Sequence, residues 1–157
     1  MTNAQLVVLA ALTIYAIHRQ SIRHEITGRA RFKLALIYAI VGLAVGGFEE
    51  PPDASAWLVI VASVVLSLAV GFARGYLTRI WRDVDGKVYS QGTWITIALF
   101  LVLVGAKWIH GAYVYMHPAA GAAPRGGFGE ILVMIAIMMA VQAEIVHRRT
   151  LPLLSRA

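Results

Sequence analysis

The chain has 157 residues, 59% of them hydrophobic and only 14% charged, with a mean hydropathy of +0.72. A soluble domain carries about 25% charged residues, so the natural solvent for this apolar surface is a bilayer. There is no cysteine, which excludes a disulfide framework, thiolate metal sites and thiol redox chemistry. A net charge of +6 would suit nucleic acid in a soluble protein, but here the positive bias of cytoplasmic loops accounts for it, and no nucleic-acid partner is expected.

Five apolar stretches follow one another, at about 3–18, 33–48, 56–73, 93–112 and 128–146, as one transmembrane helical domain. The first lacks the positive leading region of a secretory signal; its positives, Arg19, Arg23, Arg29, Arg31 and Lys33, come after it, so it reads as a span with the N-terminus outside. His18 and His24 border this basic loop without a ligand spacing and read as solvated.

The second span carries Gly42 and Gly46, four apart on one helix face, where a second backbone can approach closely. Glu49, Glu50, Pro51, Pro52 and Asp53 form an acidic external turn. The third span has Ser63 and Ser67 on one face and ends in a second such pair, Gly71 and Gly75, with Arg74 between them.

Asp85-Gly86 is a strong two-residue hairpin signal, because that turn needs positive φ at both positions. A two-residue loop would pair Arg82 with Tyr89 and Val84 with Lys87, and set Trp81 and Asp83 opposite Ser90 and Val88. The reading is of a short β-hairpin-like turn between helices 3 and 4, containing Thr78, Arg79, Trp81, Arg82, Asp83, Asp85 and Gly86. Asp83 and Asp85 also resemble the start of a calcium loop, but the remaining ligand positions are missing and no metal is expected.

The fourth span has Trp94 and Trp108 near its two ends, as aromatic belts. Lys107 and His110 fall on one face near its outer end. Lys107 is about 7 Å of helix rise from the boundary, so snorkelling or simple pairing competes with a site role. Glu130 opens the fifth span at the depth of Lys107, and Glu144 lies at the depth of Arg74, so both cross-helix pairs are expected. These five residues are the candidate intramembrane polar site. Met134, Met138 and Met139 read as gap-filling in a bundle, ahead of a ligand stripe.

Twelve of the 14 Lys and Arg fall in the three regions assigned to the cytoplasm; Arg125 is outside and Lys107 is within a span. The expectation is an all-α polytopic protein of a bacterial plasma membrane, with five transmembrane helices, the N-terminus outside and the C-terminus cytoplasmic.

Gly71, Arg74, Gly75, Thr78, Arg79, Trp81, Arg82, Asp83, Asp85, Gly86, Val88, Gly92 and Trp94 together resemble the central segment of the small bacterial CcdC-like membrane proteins. The likeness covers about 25 residues, roughly from 71 to 94. It implies an association with cytochrome c maturation, but no reaction, substrate or catalytic residue. A chain without cysteine cannot itself perform the thiol exchange of such pathways.

Two function classes stand. The first is an accessory protein without intrinsic catalysis, acting through helix contacts in a homo-oligomer or with a membrane-protein partner. The second is a small transporter or channel protomer using Lys107, His110 and Glu130. A haem-binding redox subunit is a weaker third: His110 and His117 are both on the external side, but no pair spans two helices at matched depth, so no cofactor is expected.

Overall fold

The computed structural model describes residues 7, 10, 11, 13–18, 22, 24, 25, 32–46, 54–85, 87–116 and 128–154. Residues 7, 10, 11 and 13–18 are helical (α1). Then come β1 (His24–Glu25), α2 (Lys33–Gly46), α3 (Ala54–Leu77), β2 (Arg79–Arg82), β3 (Val88–Gln91), α4 (Trp94–Met116) and α5 (Phe128–Leu154). The protein is therefore mostly helical. Two stretches, Ala56–Leu77 and Gly129–Leu153, are long and apolar enough to cross a membrane. The apolar parts of α2 and α4, Lys33–Ala44 and Trp94–Lys107, are shorter.

Helices α3, α4 and α5 end later than their apolar runs do. The last apolar run ends near Val146, but α5 continues to Leu154. Its final turns carry His147, Arg148 and Arg149, which sustain a helix as well as apolar residues do. The start of α4 is fixed by Thr93, whose hydroxyl accepts from the Thr96 amide at 3.4 Å while its carbonyl accepts from Ile97 at 3.2 Å.

The centre of the packing is α5. Half of its apolar window is buried, against 17% for α3. Ile131, Leu132, Met134, Ile135, Met138 and Met139 face inward at helical spacing. They meet Leu34, Ala35 and Tyr38 of α2, Phe100, Leu103 and Val104 of α4, and Ala16 of α1. Both α2 and α3 run closely along α5, whereas α4 leans more on α3 than on α5.

On α3 the buried face is built differently. Ser63, Ser67, Gly71 and Gly75, each four residues on, are buried, and the face offers backbone in place of apolar side chains. A Cβ on Gly71 would lie 2.6 Å from the Met138 carbonyl oxygen, and one on Gly75 would lie 2.7 Å from Ile145 Cβ. On α2, a Cβ at Gly42 would meet Leu132 Cβ at 3.0 Å and the Gly129 carbonyl at 3.2 Å. All three glycines thus seat their helices on α5 of the same chain.

The hairpin is shifted by one residue from the two-residue expectation. Arg82 pairs with Val88, Trp81 with Tyr89, Ile80 with Ser90 and Arg79 with Gln91. The Asp83 amide bonds the Lys87 carbonyl at 2.9 Å, so three residues, 84–86, make the loop. The Asp83 carboxylate accepts from the Val84 amide at 2.8 Å and fixes the entry to the loop. Because the side-chain period of a strand is two, this shift puts Trp81 on the face of Tyr89, and their rings stack at 6.3 Å. A third strand, β1, joins the far edge of β3 through His24–Ser90 and Glu25–Tyr89, giving the order β1-β3-β2.

Candidate functional site

Arg74 is one turn from the sheet end of α3, on the face that packs against α5. Its exposure is 0%. One guanidinium nitrogen, Nη1, donates to Met138 Sδ at 3.1 Å, and the guanidinium carbon lies 5.3 Å from the centre of the Phe100 ring. Nε and Nη2 have no hydrogen-bond partner among the described residues. Those two nitrogens form the edge that would hold a carboxylate bidentately. The buried phenol of Tyr38, on α2, lies within electrostatic reach. This is a cation set against an aromatic ring and a thioether, with no carboxylate against it among the described residues.

The pairing of Arg74 with Glu144 does not form. Glu144 accepts instead from Arg148 Nε, one turn further along α5, at 2.8 Å. The reason is rotational: Glu144 lies beside the outward-facing Phe72 and Tyr76 of α3, not beside the inward-facing Arg74.

Lys107 and Glu130 do meet. Nζ donates to Oε1 at 2.5 Å, and the two side chains are 14% and 22% exposed. Thirteen residues separate Lys107 from Trp94, about 20 Å of helix. The pair therefore sits toward the opposite end of the bundle from the sheet. Phe100, Leu103, Leu132 and Ile135 are buried in the stretch between it and Arg74.

A third arrangement was not legible in the sequence. Arg149 of α5 reaches the last turn of α3, and its Nη1 donates to the carbonyls of Gly75 (2.7 Å), Tyr76 (2.8 Å) and Thr78 (3.1 Å). These carbonyls are the acceptors a helix leaves unpaired at its C-terminus. Thr78 completes the collar: its hydroxyl donates to the Arg74 carbonyl at 2.7 Å and accepts from Gln142 Nε2 at 3.3 Å. On either side of Tyr76 and Arg149 lie two open grooves. One, about 560 Å³, has Phe72, Ala140, Val141 and Ile145 as its apolar wall; the other, about 530 Å³, has Thr78, Arg79, Trp81 and Thr93 at its polar end.

Other sequence candidates are placed as follows. His110 and Trp108 belong to α4, Gly46 ends α2, and the side-chain surroundings of all three lie outside the described residues, as do His117 and Gly86 entirely. Met134, Met138 and Met139 are buried core, with Met138 also the acceptor for Arg74. Asp83 and Asp85 belong to the hairpin loop, and no cluster of three or more metal-ligating side chains occurs among the described residues.

Chemically, the arrangement offers a neutralised ion pair toward one end of the bundle, an unneutralised buried cation toward the other, and a basic, aromatic collar beside the sheet. Among the described residues no nucleophile stands beside a base. Comparison of the chain with protein-family models, with curated proteins and with solved structures finds no match.

Proposed function

We propose that the chain is a five-span protein of a bacterial plasma membrane, N-terminus outside and C-terminus cytoplasmic, that acts without intrinsic catalysis through helix contacts with a second copy or a membrane-protein partner. The observation that carries this reading is the one-sidedness of α3. Its small-residue face is used up on α5, while Trp57, Leu58, Val61, Val65, Leu66 and Phe72 stay exposed. Such a face requires lipid or another helix against it. The sheet supports the same topology, because β1 and the hairpin, both in regions rich in Lys and Arg, lie at one end of the bundle.

The CcdC-like segment adds a link to cytochrome or membrane-protein biogenesis. A chain without cysteine would serve there as a helper to the thiol carriers. The test has two parts. A reporter after Ala157 should read cytoplasmic and one between Pro118 and Pro124 external. A photocrosslinker at Val61 or Val65 in native membranes should give a discrete protein adduct that the same probe at buried Ser67 does not. An external C-terminus, or lipid adducts alone at both exposed positions, would overturn the reading.

A transport protomer is the second reading. It is favoured by the two ionisable stations, Arg74 and the Lys107–Glu130 pair, inside one bundle. The apolar layer between them separates the stations in this conformation. Ion flux in proteoliposomes decides between the two.

A further inference from the structure

The Arg149 guanidinium is held in an unusual way. A single nitrogen makes three bonds to the end of α3, which fixes the plane, and the Tyr76 ring lies 5.8 Å from the guanidinium carbon. Nε and Nη2 make no hydrogen bond among the described residues, so the edge suited to bidentate phosphate binding is both fixed in orientation and unengaged. Arg149 lines both grooves at once. One groove is apolar and runs up the α3–α5 seam; the other is mixed, with Thr78, Arg79 and Thr93 among Leu77, Ile80 and Ile95 at the sheet end.

We infer that the two grooves together hold one anionic phospholipid, its phosphate on the free edge of Arg149 and an acyl chain along Phe72, Val141 and Ile145. This rests on the membrane reading above, which puts the sheet end at the cytoplasmic headgroup level. The charge is complementary. Arg148 is matched by Glu144, and the carbonyl end of α3 contributes about half a negative charge, leaving Arg149 and Arg79 in excess. Aromatic residues frame the site as they do at a membrane interface: Phe72 against Tyr76 at 4.8 Å, with Trp81 lining the second groove. Preorganisation favours binding, because the arginine loses little further freedom when the phosphate arrives.

The full chain is purified in detergent and mixed with equal amounts of phosphatidylglycerol and phosphatidylcholine, and retained lipid is read by native mass spectrometry. The wild type is expected to retain one phosphatidylglycerol, severalfold over phosphatidylcholine. Arg149→Gln removes the charge together with the two-donor edge, and should bring the two lipids to parity. Ala140→Phe fills the apolar groove without touching the collar, and should lower retention of both. Replacing Asp85 by Asn and Lys87 by Gln, both exposed beside the hairpin turn and outside the two grooves, leaves the net charge and should leave the preference. No headgroup preference in the wild type, an equal loss in the Asp85/Lys87 variant, or unaltered retention in a folded Ala140→Phe would each overturn the site. The reporter after Ala157 tests the topology separately, so failure of the membrane orientation and failure of the lipid site remain distinguishable.

Discussion

Gly71 brings its Cα so close to Met138 that a single added methyl group would stand 2.6 Å from the Met138 carbonyl oxygen. The obstacle is backbone, which cannot swing aside. Gly71→Ala should therefore destabilise by about 1–3 kcal/mol, as overpacking does. Gly75→Ala, 2.7 Å from Ile145 Cβ, should do the same. Gly105 meets nothing within 4 Å, so Gly105→Ala should stabilise α4 by about 0.5–1 kcal/mol through helix propensity alone. Thermal unfolding of the three variants in one detergent checks the contrast; equal effects at 71 and 105 would remove the backbone-contact account.

Arg74→Met should raise stability. Among the described residues the guanidinium's one hydrogen bond is to a thioether, and two of its nitrogens are unpartnered at zero exposure. A buried charge replaced by an apolar side chain of similar length commonly gains about 1–4 kcal/mol. The lost contact with Phe100 offsets about 0.5–2 kcal/mol of that. A higher unfolding midpoint together with lost biological activity would mark Arg74 as a residue kept for function. A lower midpoint would show that the cation has a partner in the folded protein.

Lys107 and Glu130 should behave as a coupled pair. Lys107→Met or Glu130→Gln alone leaves one charge in a part-buried site, at a cost of about 1–3 kcal/mol after allowing for the remaining exposure. The double variant should recover most of it. Flux in proteoliposomes, measured on the parent and the double variant, separates a structural pair from a transport path: parental flux that disappears in a well-folded double variant would favour the transporter.

Arg149→Gln should fray the end of α3. Three carbonyls lose a charged donor, worth about 1–3 kcal/mol together in this partly exposed setting. Hydrogen exchange localises the effect: the Thr78 amide, which bonds the Arg74 carbonyl, should lose protection while amides near Ser63 keep theirs. Protection lost uniformly along α3 would mean that Arg149 holds the whole helix pair and not the cap.

Hydropathy made the apolar runs readable, because their composition sets them apart from the charged and Gly/Pro-rich segments between them. It could not mark where the helices stop, and α5 outlasts its apolar run by eight residues. The glycine spacing showed that close packing was available, while the identity of the partner, α5 for both α2 and α3, is a property of the assembled bundle. Asp85-Gly86 announced the hairpin, but loop length is settled by the Asp83–Lys87 bond, and the register moved with it. β1 is two residues long, too short to have a period. Arg74 could be placed in depth by counting, yet its rotation away from Glu144 could not. Nothing local distinguishes Arg149 from its neighbour Arg148, although one caps a helix more than seventy positions earlier and the other pairs within its own.

Because the hub of the bundle is the fifth helix, the order of synthesis runs against the order of packing. A nascent chain that has reached Met116 already has α2 and α3, with notches at Gly42, Gly71 and Gly75, but nothing yet to occupy them. The open ends of the α3 carbonyls wait as well, since their donor is Arg149. Docking of α5 is therefore the step that closes the bundle: it fills the three notches and supplies the donor that caps α3.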